Sequence, residues 1–106
     1  MTHDDMFQTL ADPTRRRVIA ALKRGEQSVS EVVKAVGIHQ SGVSRHLAIL
    51  SAAGFVTVRN DGAKRYYTLR SQPFRELVAW LKRYAHVWER RQYVRITRRK
   101  AVRNSP

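Results

Sequence analysis

Cysteine is absent from all 106 residues, which removes disulfides, thiolate metal sites, iron–sulfur clusters and cysteine nucleophiles together. Acidic residues are scarce: eight Asp and Glu stand against 21 Lys and Arg, for a formal net charge of +13. That balance points to a polyanionic partner, nucleic acid first, and 16 of the 21 cations are arginines, whose planar fork suits phosphates and guanine edges. No apolar run approaches the roughly 18 to 20 residues of a membrane span. The start, Met1 to Phe7, lacks the basic and apolar regions of an export signal, so a cytoplasmic location is expected and no membrane partner. Catalytic parts are missing too. The acids are scattered, and no Ser/His/Asp set, phosphate-cradling glycine loop or pair of carboxylates stands at useful spacing, so an enzyme is not expected and no cofactor is implied.

What is present suits one modest core. A chain of this length with 42% hydrophobic residues reads as one domain. Residues 1–89 hold 14 basic and 8 acidic side chains, whereas residues 90–106 hold 7 basic and none acidic. Residues 1–97 are expected to form a DNA-binding and dimerisation domain, and residues 98–106 a disordered basic tail.

The organising stretch runs from Ser28 to Gly54. Ser28 and Glu31 have the spacing of a capping box, which starts a helix near Val29. Val29, Val32, Val33 and Val36 then form one apolar stripe, and Gly37 stands where a left-handed helix-ending residue is wanted. After Ile38 and His39 a second helix begins, with Val43, Leu47 and Leu50 on its buried side and Ser41, Ser44, Arg45 and Ala48 on the other. A helix entering the major groove must be slim outside and present donors and acceptors near its N-terminus. Gln40, Ser41, Ser44 and Arg45 meet both conditions. His46 lies on the buried edge and reads as structural, whereas His3 and His39 read as isolated surface residues.

Upstream, Met6, Phe7 and Leu10 suggest a short helix ending before Asp12, which then caps a second helix opened by Pro13 and stopped by Gly25. Arg15, Arg16 and Arg17 lie in its first turns, against the usual acidic preference. They are either a solvated basic face or phosphate contacts, with Arg15 the candidate for the second role. Downstream, Phe55–Arg59 and Ala63–Leu69 are β-rich runs around a turn-forming Asn60-Asp61-Gly62, which predicts a hairpin. Its tip carries Arg59, Lys64 and Arg65, as a wing lying over a nucleic-acid backbone or dipping into the minor groove would. A hairpin following a helix-turn-helix makes a winged helix: a mainly α fold with a β wing.

Pro73 opens a third long helix predicted to run through Trp88. Phe74, Leu77, Val78, Leu81, Ala85 and Trp88 follow a helical repeat, and Trp80, Tyr84 and Val87 make a second apolar line beside it. So wide an apolar surface predicts pairing with a second copy, through Leu77, Leu81, Tyr84 and Trp88. The alternative is a core helix within one chain.

Three motifs together resemble the ArsR/SmtB family of bacterial winged-helix repressors over roughly residues 5 to 90. They are Leu10-Ala11-Asp12-Pro13-Thr14-Arg15-Arg16-Arg17, Ser44-Arg45-His46-Leu47 with Leu50 and Gly54 following, and Arg65-Tyr66-Tyr67-Thr68-Leu69. The resemblance implies a homodimeric, sequence-specific repressor on double-stranded DNA, its recognition helices in successive major grooves of a palindromic operator and Gln40, Ser41, Ser44 and Arg45 at base edges. Many family members release DNA when a metal binds. Their Cys-Val-Cys site matches Ser28-Val29-Ser30 here, and hydroxyls are poor soft-metal ligands. Their other common site pairs Asp-x-His with His-x-x-Glu; His86 and Glu89 supply only the second half, while Pro73 and Arg75 stand at the first. The Leu81, Tyr84, Trp88 and Glu89 pattern resembles the family's metal-independent branch, and no metal ligand is assigned. The inducer, small molecule or protein, is not legible. A non-specific nucleoid or RNA-binding module is the competing reading, and a partner-binding module using the tryptophan-bearing helix a third.

Overall fold

In the computed structural model, which describes residues 2–89, nine elements follow one another along the chain. They are α1 (His3–Ala11), α2 (Pro13–Leu22), β1 (Gln27–Ser28), α3 (Val29–Val36), α4 (Gln40–Ala52), β2 (Val56–Asp61), β3 (Lys64–Leu69), α5 (Gln72–Lys82) and α6 (Ala85–Trp88). The chain divides into two compact units, one up to Arg75 and one from Glu76. No described helix is long and apolar enough to cross a membrane. The tail expected over residues 98–106 lies outside the described residues.

Local chemistry accounts for the helix boundaries of the first unit. Thr2 and Asp5 form a reciprocal capping box at the start of α1, and Ser28 with Glu31 does the same for α3. Asp12 caps α2 by accepting from the N–H of Thr14 at 2.7 Å and of Arg15 at 3.1 Å, with Pro13 at the first helical position. Gly37 ends α3 at φ 77°, ψ 25°, a left-handed conformation that a Cβ would disfavour.

Each stripe meets its neighbours in one core. Val18 and Leu22 of α2, Val32 of α3, and Val43, Leu47 and Leu50 of α4 are buried to 2% exposure or less, with Phe55 beside them. At about 1.5–3 kcal/mol for each fully buried large aliphatic or aromatic side chain, these contacts hold the helix-turn-helix together. The Phe74 ring meets Phe55 edge-on, with centroids 5.5 Å apart.

The hairpin differs from the sequence expectation in two ways. Pairing runs from Val56↔Leu69 as far as Asp61↔Lys64, so Asn60 and Asp61 belong to the ladder and the turn is Gly62-Ala63. Gly62 has φ 61° and no described non-glycine residue, Ala63 included, has positive φ, which is the sign pattern of the II′ turn that suits twisted hairpins. The wing also has a third strand: β1 pairs antiparallel with β3 through Gln27↔Tyr67 and Ser28↔Tyr66, giving the order β1-β3-β2. Two polar residues carry no alternating signal, so this strand is invisible to periodicity. Gln27 is fixed by donating to the Ala21 carbonyl.

In the second unit the single long helix predicted from Pro73 to Trp88 is interrupted. α5 ends at Lys82, and the N–H groups of Arg83 and Tyr84 bond three residues back, to Trp80 at 3.1 Å and Leu81 at 2.9 Å. This tightening starts α6 afresh at Ala85, and the Trp80 and Tyr84 rings lie 5.0 Å apart across it. Neither proline nor glycine marks the break. Leu81 and Tyr84 are 48% and 43% exposed, Val78 and Val87 are exposed too, and Leu77 and Trp88 are half-buried.

Candidate nucleic-acid interface

The four residues expected at base edges all sit on the exposed side of α4. Gln40, Ser41, Ser44 and Arg45 face solvent, while Val43, His46, Leu47 and Leu50 face the core. His39, read from sequence as an idle surface residue, is the helix cap. Its Nδ1 accepts the Ser41 N–H at 3.2 Å and lies 2.9 Å from the Ser41 hydroxyl. A ring nitrogen accepting from the backbone carries no proton, so the hydroxyl donates to it and the ring proton sits on Nε2. His46 is 6% exposed, as its position on the stripe requires, and its Nδ1 has no hydrogen-bond partner among the described residues.

The wing closes on this face. A cleft of about 360 Å³ is lined by Ser28, Val29 and Ser30 at the start of α3, Gln40 and Ser44 of α4, and Ala63, Lys64 and Arg65 of the hairpin. It thus unites four expected site residues from two elements, Gln40 and Ser44 with Lys64 and Arg65. Among the described residues neither Lys64 nor Arg65 enters a salt bridge. Glu31 stands near this cleft. Its carboxyl is held below the ordinary range first by the backbone N–H of Ser28, then by the Ser28 hydroxyl, with Lys34 and Lys64 adding charge.

Two expected backbone contacts are placed elsewhere. The Arg15 side chain is 16% exposed; its Nε donates to the Thr9 carbonyl at 2.8 Å and its Nη2 to that of Gln8 at 3.3 Å. Nη1 of Arg16 donates to the carbonyls of Leu10 at 2.6 Å and Ala11 at 3.1 Å. These are the last four carbonyls of α1, the groups a helix cannot satisfy itself, so the arginines that looked misplaced at the start of α2 serve the end of α1. Arg17 likewise donates to the carbonyl of Val36, the last residue of α3. Arg59 forms a two-pronged pair with Glu26, Nε to Oε2 at 3.0 Å and Nη2 to Oε1 at 2.8 Å, and its guanidinium lies 4.7 Å over the Tyr66 ring. The Arg59 pairing holds the Glu26 carboxyl below its ordinary value. Sequence reading missed Glu26 because its position beside Arg59 depends on β1.

A metal does not fit the Ser28-Val29-Ser30 position. The Ser28 oxygen accepts the Glu31 N–H at 3.3 Å within the capping box, and neither side chain there offers a soft donor. Among the described residues no three His, Asp or Glu side chains converge on a common point.

The comparisons with known proteins agree with this architecture. A family model described as a helix-turn-helix domain matches residues 10–59. A probable mercury resistance operon repressor from Streptomyces lividans is 40% identical over 81 residues, which cover 73% of this chain and 65% of that protein. The transcriptional regulator KmtR of Mycobacterium tuberculosis is 40% identical over 74 residues, 70% of this chain and 57% of KmtR. The chain thus spans less than two thirds of the length of either relative. The crystal structure of an ArsR family transcriptional regulator superposes with a TM-score of 0.72 at 34% identity, over 83% of this chain and 91% of that one.

Proposed function

Because the chain belongs to the ArsR/SmtB family of winged helix-turn-helix transcriptional regulators, we propose that it is a repressor that binds a palindromic operator as a homodimer and does not respond to metal. The observation that carries this reading is the cleft in which Gln40 and Ser44 of α4 meet Lys64 and Arg65 of the wing. A recognition helix supplies hydrogen-bonding groups to base edges, and a flanking cationic hairpin holds the phosphates that set its register. Gln40, Ser41, Ser44 and Arg45 read bases in this proposal, and Lys64 and Arg65 hold the backbone. Arg15 and Arg59, expected from sequence to touch phosphates, have their guanidinium groups engaged within the chain.

Dimerisation supplies the second half-site. Val78, Leu81, Tyr84 and Val87 leave an apolar surface on the second unit, and a second copy is the partner whose matching surface would cover it. Two half-sites about 34–36 Å apart are held tightly only when the protein fixes that spacing. Metal independence rests on hydroxyls standing where the family resemblance implies thiolates in metal-sensing members, one of them occupied in a helix cap.

The test combines selection of bound genomic fragments with sedimentation. Enriched fragments should share an inverted repeat, and Leu81→Asp should yield a monomer with lost operator affinity, because it places a carboxylate in an apolar seam. Zn²⁺, Cd²⁺ and arsenite should leave affinity within about twofold, a coupling below roughly 0.4 kcal/mol. Equal affinity for unrelated sequences at physiological salt would overturn the repressor reading in favour of a non-specific binder.

A further inference from the structure

Side chains alternate across the wing, so the ladder assigns each residue to a face. Tyr67 is buried and Gln27 pairs with it on the core side. Arg59, Asp61, Lys64 and Tyr66 therefore share the outer side, since Arg59 pairs with Tyr66 and Asp61 with Lys64. On that side the Arg59 side chain leaves β2, passes over the Tyr66 ring of the central strand β3 at 4.7 Å, and reaches Glu26, the residue before β1. One side chain thus spans all three strands.

From this geometry we propose that Glu26 and Arg59 form a clamp that fixes the angle of the wing for DNA, Arg59 being a positioning residue that acts through Glu26 and not a phosphate ligand. The inference rests on the DNA-binding reading above. Three observations carry it. First, β1 pairs only with β3, so the backbone ladder gives β2 no bond to the first strand, and β1 is two residues long. Beyond Val56 every residue of β2 is exposed, so the outer part of the hairpin has little packing to brace it. Second, both prongs of the Arg59 fork that face Glu26 are used at hydrogen-bond distance, and one face of the guanidinium is covered by Tyr66. Such a two-pronged, stacked arrangement fixes direction, which a point charge does not. Third, Asp61 Oδ2 lies 3.9 Å from Arg59 Nη1. With Glu26 bonded to it and Asp61 beside it, the Arg59 charge is already met by carboxylates of the wing and its neighbouring strand. Lys64 and Arg65 stand beyond it toward the Gly62-Ala63 turn, so a change of wing angle moves them together.

Glu26→Gln separates the clamp from ordinary electrostatics. Removing a negative charge close to a DNA interface tightens binding if charge alone matters. The clamp requires the opposite. In fluorescence anisotropy with the selected operator, Glu26→Gln and Arg59→Ala are each expected to weaken binding roughly three- to tenfold. The slope of log affinity against log salt should stay at its parent value, whereas Lys64→Ala lowers it by about 0.9 per lost phosphate contact. The double variant should bind no more weakly than Arg59→Ala alone, since both changes break one interaction. Unchanged or tighter binding by Glu26→Gln overturns the proposal, as does a slope lowered by a full unit in Arg59→Ala. Hydrogen exchange on the DNA-free protein supplies an independent arm. Both variants should expose the β2–β3 amides faster than the parent at an unchanged melting midpoint, and unchanged exchange defeats the clamp even if no DNA target is found. A parent protein that prefers no DNA sequence defeats the functional reading instead.

Discussion

Three consecutive arginines at the start of α2 and the cations of α4 and the wing, Arg45, Lys64 and Arg65, differ in what their guanidinium and ammonium groups meet. Arg15, Arg16 and Arg17 donate to backbone carbonyls at the ends of α1 and α3. Arg45 is exposed on α4, and Lys64 and Arg65 line the cleft. A dense run of positive charge in sequence is therefore no guide to which cations face solvent. What decides is whether orphan carbonyls lie within reach, and the Asp12–Pro13 corner puts the end of α1 directly beside the first turn of α2.

The largest effect that could break this contrast is on stability. Arg15→Ala removes two charged hydrogen bonds from carbonyls near a side chain only 16% exposed, and is expected to cost about 1.5–3 kcal/mol in denaturant unfolding. DNA affinity of the folded protein and its salt slope should be unchanged. A stable Arg15→Ala protein with a slope lower by one unit would make Arg15 a phosphate ligand after all. Arg45→Ala should do the reverse, losing about 1–3 kcal/mol of operator affinity and less on random DNA, at an unchanged unfolding midpoint. Equal losses on both kinds of DNA would remove base readout from α4. Lys64→Ala is expected to weaken operator and random DNA alike and to lower the salt slope by about 0.9.

The smallest effect is in acid. Asp12 has its carboxyl lowered, chiefly by the Arg15 N–H, so its contribution to stability is complete above the ordinary carboxylate value near 4 and disappears as pH falls through the lower folded-state value. Asp12→Asn keeps a capping oxygen that does not titrate, and should flatten part of the fall in melting temperature between about pH 5 and pH 2. An acid limb identical to that of the parent would show that Asp12 is not among the groups responsible.

Elements announced by local chemistry were legible in the sequence. Ser28 with Glu31, Asp12 with Pro13, and Gly37 each mark a helix boundary by a bond or backbone angle formed within four residues, and all three stand as expected. The exposed face of α4 followed from the same periodicity that buries Val43, Leu47 and Leu50. Features that depend on distant partners were not legible. β1 exists only through pairing with Tyr66 and Tyr67, and Glu26 meets Arg59 only because that pairing brings position 26 beside position 59. The interruption after Lys82 left no trace either, since the apolar repeat continues through it and the bonds that tighten the turn are made by ordinary residues.

The satisfied end of α1 has a consequence for how the protein opens. A nine-residue helix is too short to be stable alone, and its terminal turns normally fray independently of the rest. Here Gln8, Thr9, Leu10 and Ala11 are all bonded to side chains rooted in α2, so the last turn of α1 comes apart only when Arg15 and Arg16 let go. The two helices form one cooperative opening unit across the Asp12 corner. The amides of the last turn of α1 should then exchange with solvent at the slow rate of α2, where an unsupported helix end would exchange orders of magnitude faster.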